Sequence, residues 1–405
     1  MAAEDEDNTS QGADGDQFSE TTQKSWLQRI VQSFAGVIFG FLLIIGSCVL
    51  LFWNEGRAVT TARSLTEGAG LVKTVAADTL DPANEGKLIH VMGALTTSGP
   101  VTDTEFGMKS SGIRLIRHVE MFQWTEESES DSKKNLGGSE TTKTTYKYAR
   151  AWQDKPVDSS KFKDRTGHTN PQMTYRGRST LAPQIKLGVF AVPASLLNGF
   201  GAEEALPATD DQATALAKRI NKPVQLVDGV LYIGKDPAQP AVGDFKISFA
   251  EVRQQPASVV ADQSGSTFIP YRTKAGGAVE LIAAGRVPAA DMFKQAQDDN
   301  RMWTWIIRAG GVVAMFIGFG LIMGPIGVLA DIIPILGDVV RAGTGLIGLL
   351  CTAVLAPVVI AIAWFAYRPI TAVIVLVIGA AVAYGAIHLA RLRKAAKATK
   401  AAPAT

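Results

Sequence analysis

Three charge-free stretches near the C-terminal end constrain this chain more than any other feature. Ala309–Ala330, Leu346–Ala366 and Ile370–Ile387 contain no Asp, Glu, Lys or Arg. At about 1.5 Å rise per residue, each is long enough to cross a hydrocarbon core of about 30 Å. A helix on the surface of a water-soluble domain keeps one polar face, and three helices that are apolar all round suit lipid instead. Phe34–Trp53 is a fourth run of this kind, without a charge or an amide side chain, and it closes on Trp53, a residue type favoured at membrane interfaces. The pattern predicts a multipass α-helical membrane protein with four transmembrane helices.

The rest of the chain is polar and nearly balanced in charge. Residues 54–305 hold 30 basic and 29 acidic side chains. This balance gives no basic face for nucleic acid, and none is expected as a partner. Their length suffices for a folded domain with its own core. The two cysteines, Cys48 and Cys351, fall within apolar runs, so residues 54–305 carry neither a disulfide framework nor a thiolate metal site. Residues 1–30 are rich in Asp, Glu, Gly, Ser and Thr and read as a disordered acidic tail, and this acidic start argues against a cleavable signal peptide.

Basic residues set the expected orientation. Arg391, Arg393, Lys394, Lys397 and Lys400 follow the last run, which makes 390–405 a basic cytoplasmic tail by the positive-inside tendency. Four crossings, at 34–53, 309–330, 346–366 and 370–389, return the N-terminus to the same side. They place 54–305 in the lumen or periplasm. Between the second and third runs, residues 331–341 read as a short amphipathic interfacial helix, with Asp331, Asp338 and Arg341 on one side. Gly320 and Gly324 have the small-xxx-small spacing of close helix packing. Tyr367-Arg368-Pro369 leaves room only for a tight outer hairpin.

Alternation predicts that 54–305 is α+β and mainly β. Expected strands cover Leu88–Leu95, Gly112–Trp124, Tyr146–Trp152, Leu181–Val192, Val224–Ile233 turning on Asp228-Gly229, Asp244–Val252, Thr267–Arg272 and Glu280–Ala284. Asp210–Ile220 has helical spacing, and Ala289–Trp305 reads as a helix running into the second span. Glu126–Thr144 has almost nothing apolar and is expected to be a long mobile loop.

No catalytic, cofactor or metal signature emerges. His90, His118, His168 and His388 are scattered, without the spacing of a metal site. On the Gly112–Trp124 strand, Arg114, His118 and Glu120 share one face. This face reads as a salt-bridge ladder, with a base and its orienting carboxylate as the other possibility. Gly167-His168-Thr169-Asn170-Pro171 reads as a turn set by Gly and Asn-Pro before it reads as a functional loop. The span cores lack the ionisable residues that pumps and proton relays use. The composition therefore favours a non-enzymatic membrane scaffold over a channel or conductance-modulating subunit, and a hydrolase ranks last.

A set of short motifs spread along the chain resembles one family, transmembrane protein 43, also called LUMA. They are Asn54-Glu55-Gly56-Arg57, Asn84-Glu85-Gly86, Arg117-His118-Val119-Glu120-Met121-Phe122-Gln123-Trp124, Gly167-His168 with Asn170-Pro171, Val242-Gly243-Asp244, Arg308-Ala309-Gly310 and Tyr367-Arg368-Pro369. The resemblance implies a protein of the endoplasmic reticulum and inner nuclear membrane. Such a protein self-associates, organises the nuclear envelope and contacts emerin and lamins. The Ala-rich ends point instead to a bacterial member in the plasma membrane, with 54–305 periplasmic. The expected partners are the lipid bilayer, further copies of the chain and other membrane or envelope proteins.

Overall fold

The computed structural model describes residues 10–11, 16–375, 377–378 and 384. Two compact units divide the chain, one of Met1–Trp26 with Ser64–Gln297 and one of Leu27–Arg63 with Asp298–Thr405.

The helical unit draws on three long helices, α1 (Trp26–Leu71), α3 (Ala289–Ala330) and α4 (Pro334–Tyr367); α2 (Asp210–Ile220) belongs to the other unit. All three are long and apolar enough to cross a membrane. Each outruns the apolar stretch that marks it in the sequence. α1 continues through Asn54-Glu55-Gly56-Arg57 because nothing up to Leu71 breaks it: no proline intervenes, and Gly56, Gly68 and Gly70 are tolerated singly. Ala289–Trp305 joins the second span as one helix, as its spacing predicts. The expected separate interfacial helix at 331–341 is absent. Residues 331–333 form a short break, Pro334 starts α4 at a position where its missing N–H is no loss, and Gly343 and Gly345 do not interrupt the helix before the apolar run. Of the expected fourth span, 370–375, 377–378 and 384 are helical, and the remainder of 370–389 lies outside the described residues, as does 390–405.

Inside this unit, α1 packs on α3 through Leu51 and Met315, and Ala356 of α4 joins them. The close approach uses Gly40, Gly311 and Gly318. A Cβ on Gly40 would lie 2.7 Å from the Gly318 carbonyl oxygen, and one on Gly318 would lie 2.7 Å from an Ile44 side-chain carbon. Gly320 and Gly324, the pair expected from spacing, face elsewhere, and a Cβ on either meets nothing within 4 Å. Gly318 precedes Gly320 by about 200° of helix rotation, so the pair expected from spacing is not the one at the α1–α3 contact.

The other unit is mainly β. Its larger sheet has nine strands, with a path running Ser10–Gln11, Gln17–Lys24, Glu140–Gln153, Arg114–Lys134, Phe245–Val252, Val230–Ile233, Val224–Val227. In its seven-stranded sheet, Pro256–Ser264 pairs with both Thr267–Ile269 and Leu88–Thr96. The connections through Phe190–Ala191 and Lys186–Leu187 then close five strands into a ring. A large core fills most of the unit, with Ile89, Leu115, Val119, Met121, Phe190, Leu231, Ile247 and Phe268 almost wholly buried, and a smaller cluster gathers Leu65, Leu88, Val260, Val279, Met292 and Phe293. On the Arg114–Lys134 strand the odd residues Leu115–Gln123 point into the core. The even face carries His118 and Glu120 outward. Pro256–Ser264 was missed as a strand because its apolar stretch opens on a proline and runs continuously instead of alternating.

Two expectations fail at the long hairpin. Glu126–Thr144 is mostly strand. The ladder runs to Lys134 and resumes at Glu140, tied by Ser130–Thr144 and Ser132–Thr142 hydroxyl contacts of 2.9 and 2.8 Å. Cross-strand Ser/Thr pairing supplies what an apolar face would otherwise give. The tail is also not structureless over its described part: Gln17–Lys24 pairs along Glu140–Lys147. That pairing puts both segments on one side of any bilayer, because an open polar ribbon does not cross hydrocarbon. It conflicts with the expected arrangement of 1–30 in the cytoplasm and 54–305 opposite.

Candidate functional site

The motif residues assemble into two buried ion clusters in the helical unit. In the first, Glu55 on α1 is fully buried, and Arg308 on α3 grips its carboxylate through Nε at 2.6 Å and Nη2 at 2.9 Å. Trp364 on α4 donates its indole N–H to Glu55 Oε2 at 2.9 Å. Two residues on, Arg57 donates to Asn54 Oδ1, Asn300 Oδ1 and Thr304 Oγ1. Asn54 and Asn300 each reach a backbone carbonyl of the neighbouring helix, Thr304 and Ala58 respectively. Gly56 leaves room for the Tyr367 ring, since a Cβ there would lie 2.7 Å from Cζ. The Asn-Glu-Gly-Arg run is therefore a helical surface on which three helices meet. Arg308, Asn300, Thr304 and Trp364 complete it. Arg368 contributes its backbone N–H to the Trp364 carbonyl, a cap on α4, and Pro369 starts the next helical segment.

The second cluster centres on Asp331, also fully buried. Arg29 of α1 donates to it at 2.6 Å and Arg341 of α4 donates through both terminal nitrogens, one of them at 2.9 Å. Arg341 also reaches Asp338 at 3.3 Å. Gly337 lies directly beneath the Asp331 carboxylate, where no side chain would fit. The expected interfacial trio thus comes together around a buried Asp331, with Arg341 half-buried and Asp338 exposed. Arg29, whose distance in sequence hid it, supplies the second cation.

The two clusters are evenly spaced. Arg29 and Glu55 are 26 residues apart on α1, about 39 Å of helix. Arg308 to Asp331, and Arg341 to Trp364 on α4, are each 23 residues, about 35 Å. No charged residue lies between them on α1 or α3. Such a spacing brackets a hydrocarbon core of about 30 Å with one layer of paired charge at each boundary.

The remaining motif residues hold the mainly-β unit together. Arg117 lies in the core face, paired to Asp103 at 2.9 Å and Glu105 at 2.7 Å and stacked over Phe106, with Nε on the Arg176 carbonyl. His118 is exposed and meets Glu203 at 3.4 Å, and Glu120 stands opposite Lys246, so the strand face is a charge ladder. Asn170 turns its amide to the strand edge, accepting from the Trp124 N–H at 2.7 Å and donating to the Trp124 carbonyl at 2.9 Å. His168 stacks on Tyr148 at 4.1 Å with Trp124 edge-on at 4.7 Å. Burial and the Glu126 carboxylate push the Tyr148 phenol up, and burial with Asp244 does the same to Tyr232. Asp244 accepts from Tyr232 Oη at 2.5 Å, and Gly243, at φ +100°, lies against Pro171. Asn84 accepts from Lys73, Glu85 accepts the Gly265 N–H, and Gly86 turns at φ +70°. An open cleft of about 570 Å³ beside Asn170 is lined by Asp158, Arg165 and Arg176 among others. Among the described residues no group of three His, Cys, Asp or Glu side chains is arranged to hold a metal.

Comparison with known proteins identifies the family. The family model described as Transmembrane protein 43 matches residues 121–369. The chain is 33% identical to mouse Transmembrane protein 43 over 87% of its own length and 90% of the relative's. It is 31% identical to the human protein of that name, covering 93% and 94%. It is 29% identical to the Drosophila melanogaster Transmembrane protein 43 homolog, covering 85% and 92%. No solved structure matches.

Proposed function

Because this chain belongs to the transmembrane protein 43 family, we propose that it is a non-enzymatic membrane scaffold that self-associates and presents residues 54–305 to partners on the luminal or periplasmic side, with both termini cytoplasmic. The observation that carries this reading is the pair of buried ion clusters. Glu55 and Asp331 are each held by bonds from two other helices. Fixed pairs of this kind hold helices in register, whereas an ion pathway needs charges that bind and release. Between the clusters the helices expose apolar side chains such as Ile38, Leu42, Ile45, Val313 and Val354, a surface for lipid and for other membrane helices. The membrane is the endoplasmic reticulum or inner nuclear membrane if the animal role extends to this chain, with emerin- and lamin-like partners. Otherwise it is a bacterial plasma membrane.

The test is made on the full-length protein in native membranes. Amine cross-linking and native mass measurement of the extracted protein are expected to give a defined oligomer. The same protein in liposomes is expected to pass no ions. A monomer throughout would overturn the scaffold reading, and reproducible ion flux lost in Gly320→Leu would replace it with a channel.

A further inference from the structure

The long hairpin of the mainly-β unit has one covered edge and one bare one. On the Arg114–Lys134 strand, the side away from Glu140–Gln153 is paired by Phe245–Val252 only as far as Met121. Phe122 then exchanges bonds with Gly243 and Asp244, and the Asn170 amide serves Trp124 as a substitute peptide group. Peptide groups alternate direction along an antiparallel strand, so the next outward ones belong to Glu126, Ser128, Ser130 and Ser132. Among the described residues no strand lies on that side of them. Residues 127–133 are all exposed. The edge carries no proline and no bulge, its ladder to its neighbour running in unbroken register to Lys134, and its guard is its charged side chains.

The sequence of this edge is complementary to itself when reversed. It reads Glu126-Glu127-Ser128-Glu129-Ser130-Asp131-Ser132-Lys133-Lys134, acidic at one end and basic at the other. Placed antiparallel to a copy about a two-fold axis at Ser130, Glu126 stands opposite Lys134, Glu127 opposite Lys133, and Ser128 opposite Ser132. All the outward peptide groups fall in hydrogen-bonded pairs in this register. The one like-charge pair, Glu129 with Asp131, is relieved within each copy, by Lys147 on Glu129 at 3.1 Å and by Lys143 opposite Asp131. A shift by one residue keeps only one of the two kinds of outer ion pair and turns the outward groups out of register.

We propose that a second copy of this chain docks here, joining the two hairpins edge to edge in an isologous antiparallel pair over residues 126–134. This deepens the self-association reading and rests on it, and it assigns the contact to the mainly-β unit.

The experiment uses the full chain with Cys48 and Cys351 replaced by Ala, oxidised in native membranes. Ser130→Cys lies on the two-fold axis, where paired Cα atoms about 5.5 Å apart suit a disulfide. It is expected to give a covalent dimer. Ser128→Cys and Ser132→Cys are each expected to stay monomeric alone and to cross-link when co-expressed. Ser132→Cys with Thr142→Cys in one chain reports that the hairpin is folded, since those hydroxyls lie 2.8 Å apart. Lys133→Glu with Lys134→Glu is expected to abolish the Ser130→Cys dimer, and adding Glu126→Lys with Glu127→Lys to restore it. A monomeric Ser130→Cys beside an intact hairpin disulfide overturns the proposal, as does equal cross-linking of Ser128→Cys alone. If amine cross-linking still gives an oligomer in that case, only this contact fails. If it gives none, the scaffold reading fails as well.

Discussion

Glu55 shows how much depends on one buried charge. It has no exposure to solvent, and among the described residues Arg308 is its cationic partner. Removing one member of such a pair leaves the other uncompensated and costs about 3–5 kcal/mol, whereas replacing both with apolar residues is often near neutral. Arg308→Met is therefore expected to lower the thermal midpoint of the extracted protein sharply. Glu55→Leu with Arg308→Met should recover most of the loss, as read by a scanning unfolding assay. A second residue-scale expectation concerns Glu280, whose Oε1 is buried without a hydrogen bond. Burial raises its pKa. A carboxyl raised in the folded state destabilises the fold where it is ionised, and this penalty vanishes as pH falls through the raised value to the ordinary one. Glu280→Gln should stabilise the protein at pH 7.5 and lose that advantage near pH 4.5, as compared by melting at the two pH values. His90 illustrates the same force on a base: burial lowers its pKa, and its ring bridges Thr74 and the Val287 carbonyl as a neutral group. In the sequence these residues look alike, because neither a buried partner nor a buried carboxylate has a local signature. Arg29 and Asp331, 302 positions apart, are the clearest case.

At the scale of elements, the apolar runs were legible and their packing was not. Absence of charge over about 20 residues marks a span by its energy of transfer, which is a local property. The face a helix presents to its neighbour depends on the neighbour, and six glycines in α3 between 310 and 327 offer several faces. Gly318 lies against Gly40 and Ile44, so Gly318→Leu is expected to break the α1–α3 contact and sharply reduce the amount of folded protein recovered. Gly320→Leu should leave the fold intact, as measured by size-exclusion profile and melting. The long hairpin was misread for a related reason. Loops and solvent-exposed ribbons have the same composition, and only cross-strand register distinguishes them. Leu88–Thr96 of the second sheet and α2, which starts on a capping box of Thr209 with Gln212, were by contrast legible from alternation and spacing that act locally.

At the scale of the whole molecule, one choice decides the topology. A bilayer crossing by Phe34–Trp53 and the pairing of Gln17–Lys24 with Glu140–Lys147 exclude each other. Inserting a helix of this kind gains about 0.3–0.6 kcal/mol for each Leu, Ile, Phe or Val. The edge strand gains about 0.5–1.5 kcal/mol per hydrogen bond, but hydrocarbon around a polar ribbon costs several kcal/mol for each unsatisfied group. In a membrane the proposed crossing is the favoured alternative, and it would bare the Glu140–Lys147 edge as well. Thr21→Cys with Lys143→Cys, opposed in the ladder, should therefore remain reduced in sealed membranes. A disulfide there would mean that the strand keeps its place and α1 does not cross.

The even spacing of the two ion clusters has a consequence for where such a protein can reside. A charge layer fixed on three helices at about 35–39 Å works as a gauge of thickness. In a bilayer much thinner than this, apolar side chains emerge into water. In a much thicker one, the paired charges are drawn into lipid. Each ångström of mismatch costs only a fraction of a kcal/mol, but three helices bear it together and none can tilt without breaking its bonds to the others. Membrane thickness thereby acts as an address that the chain carries in the separation of three arginines and two buried acids.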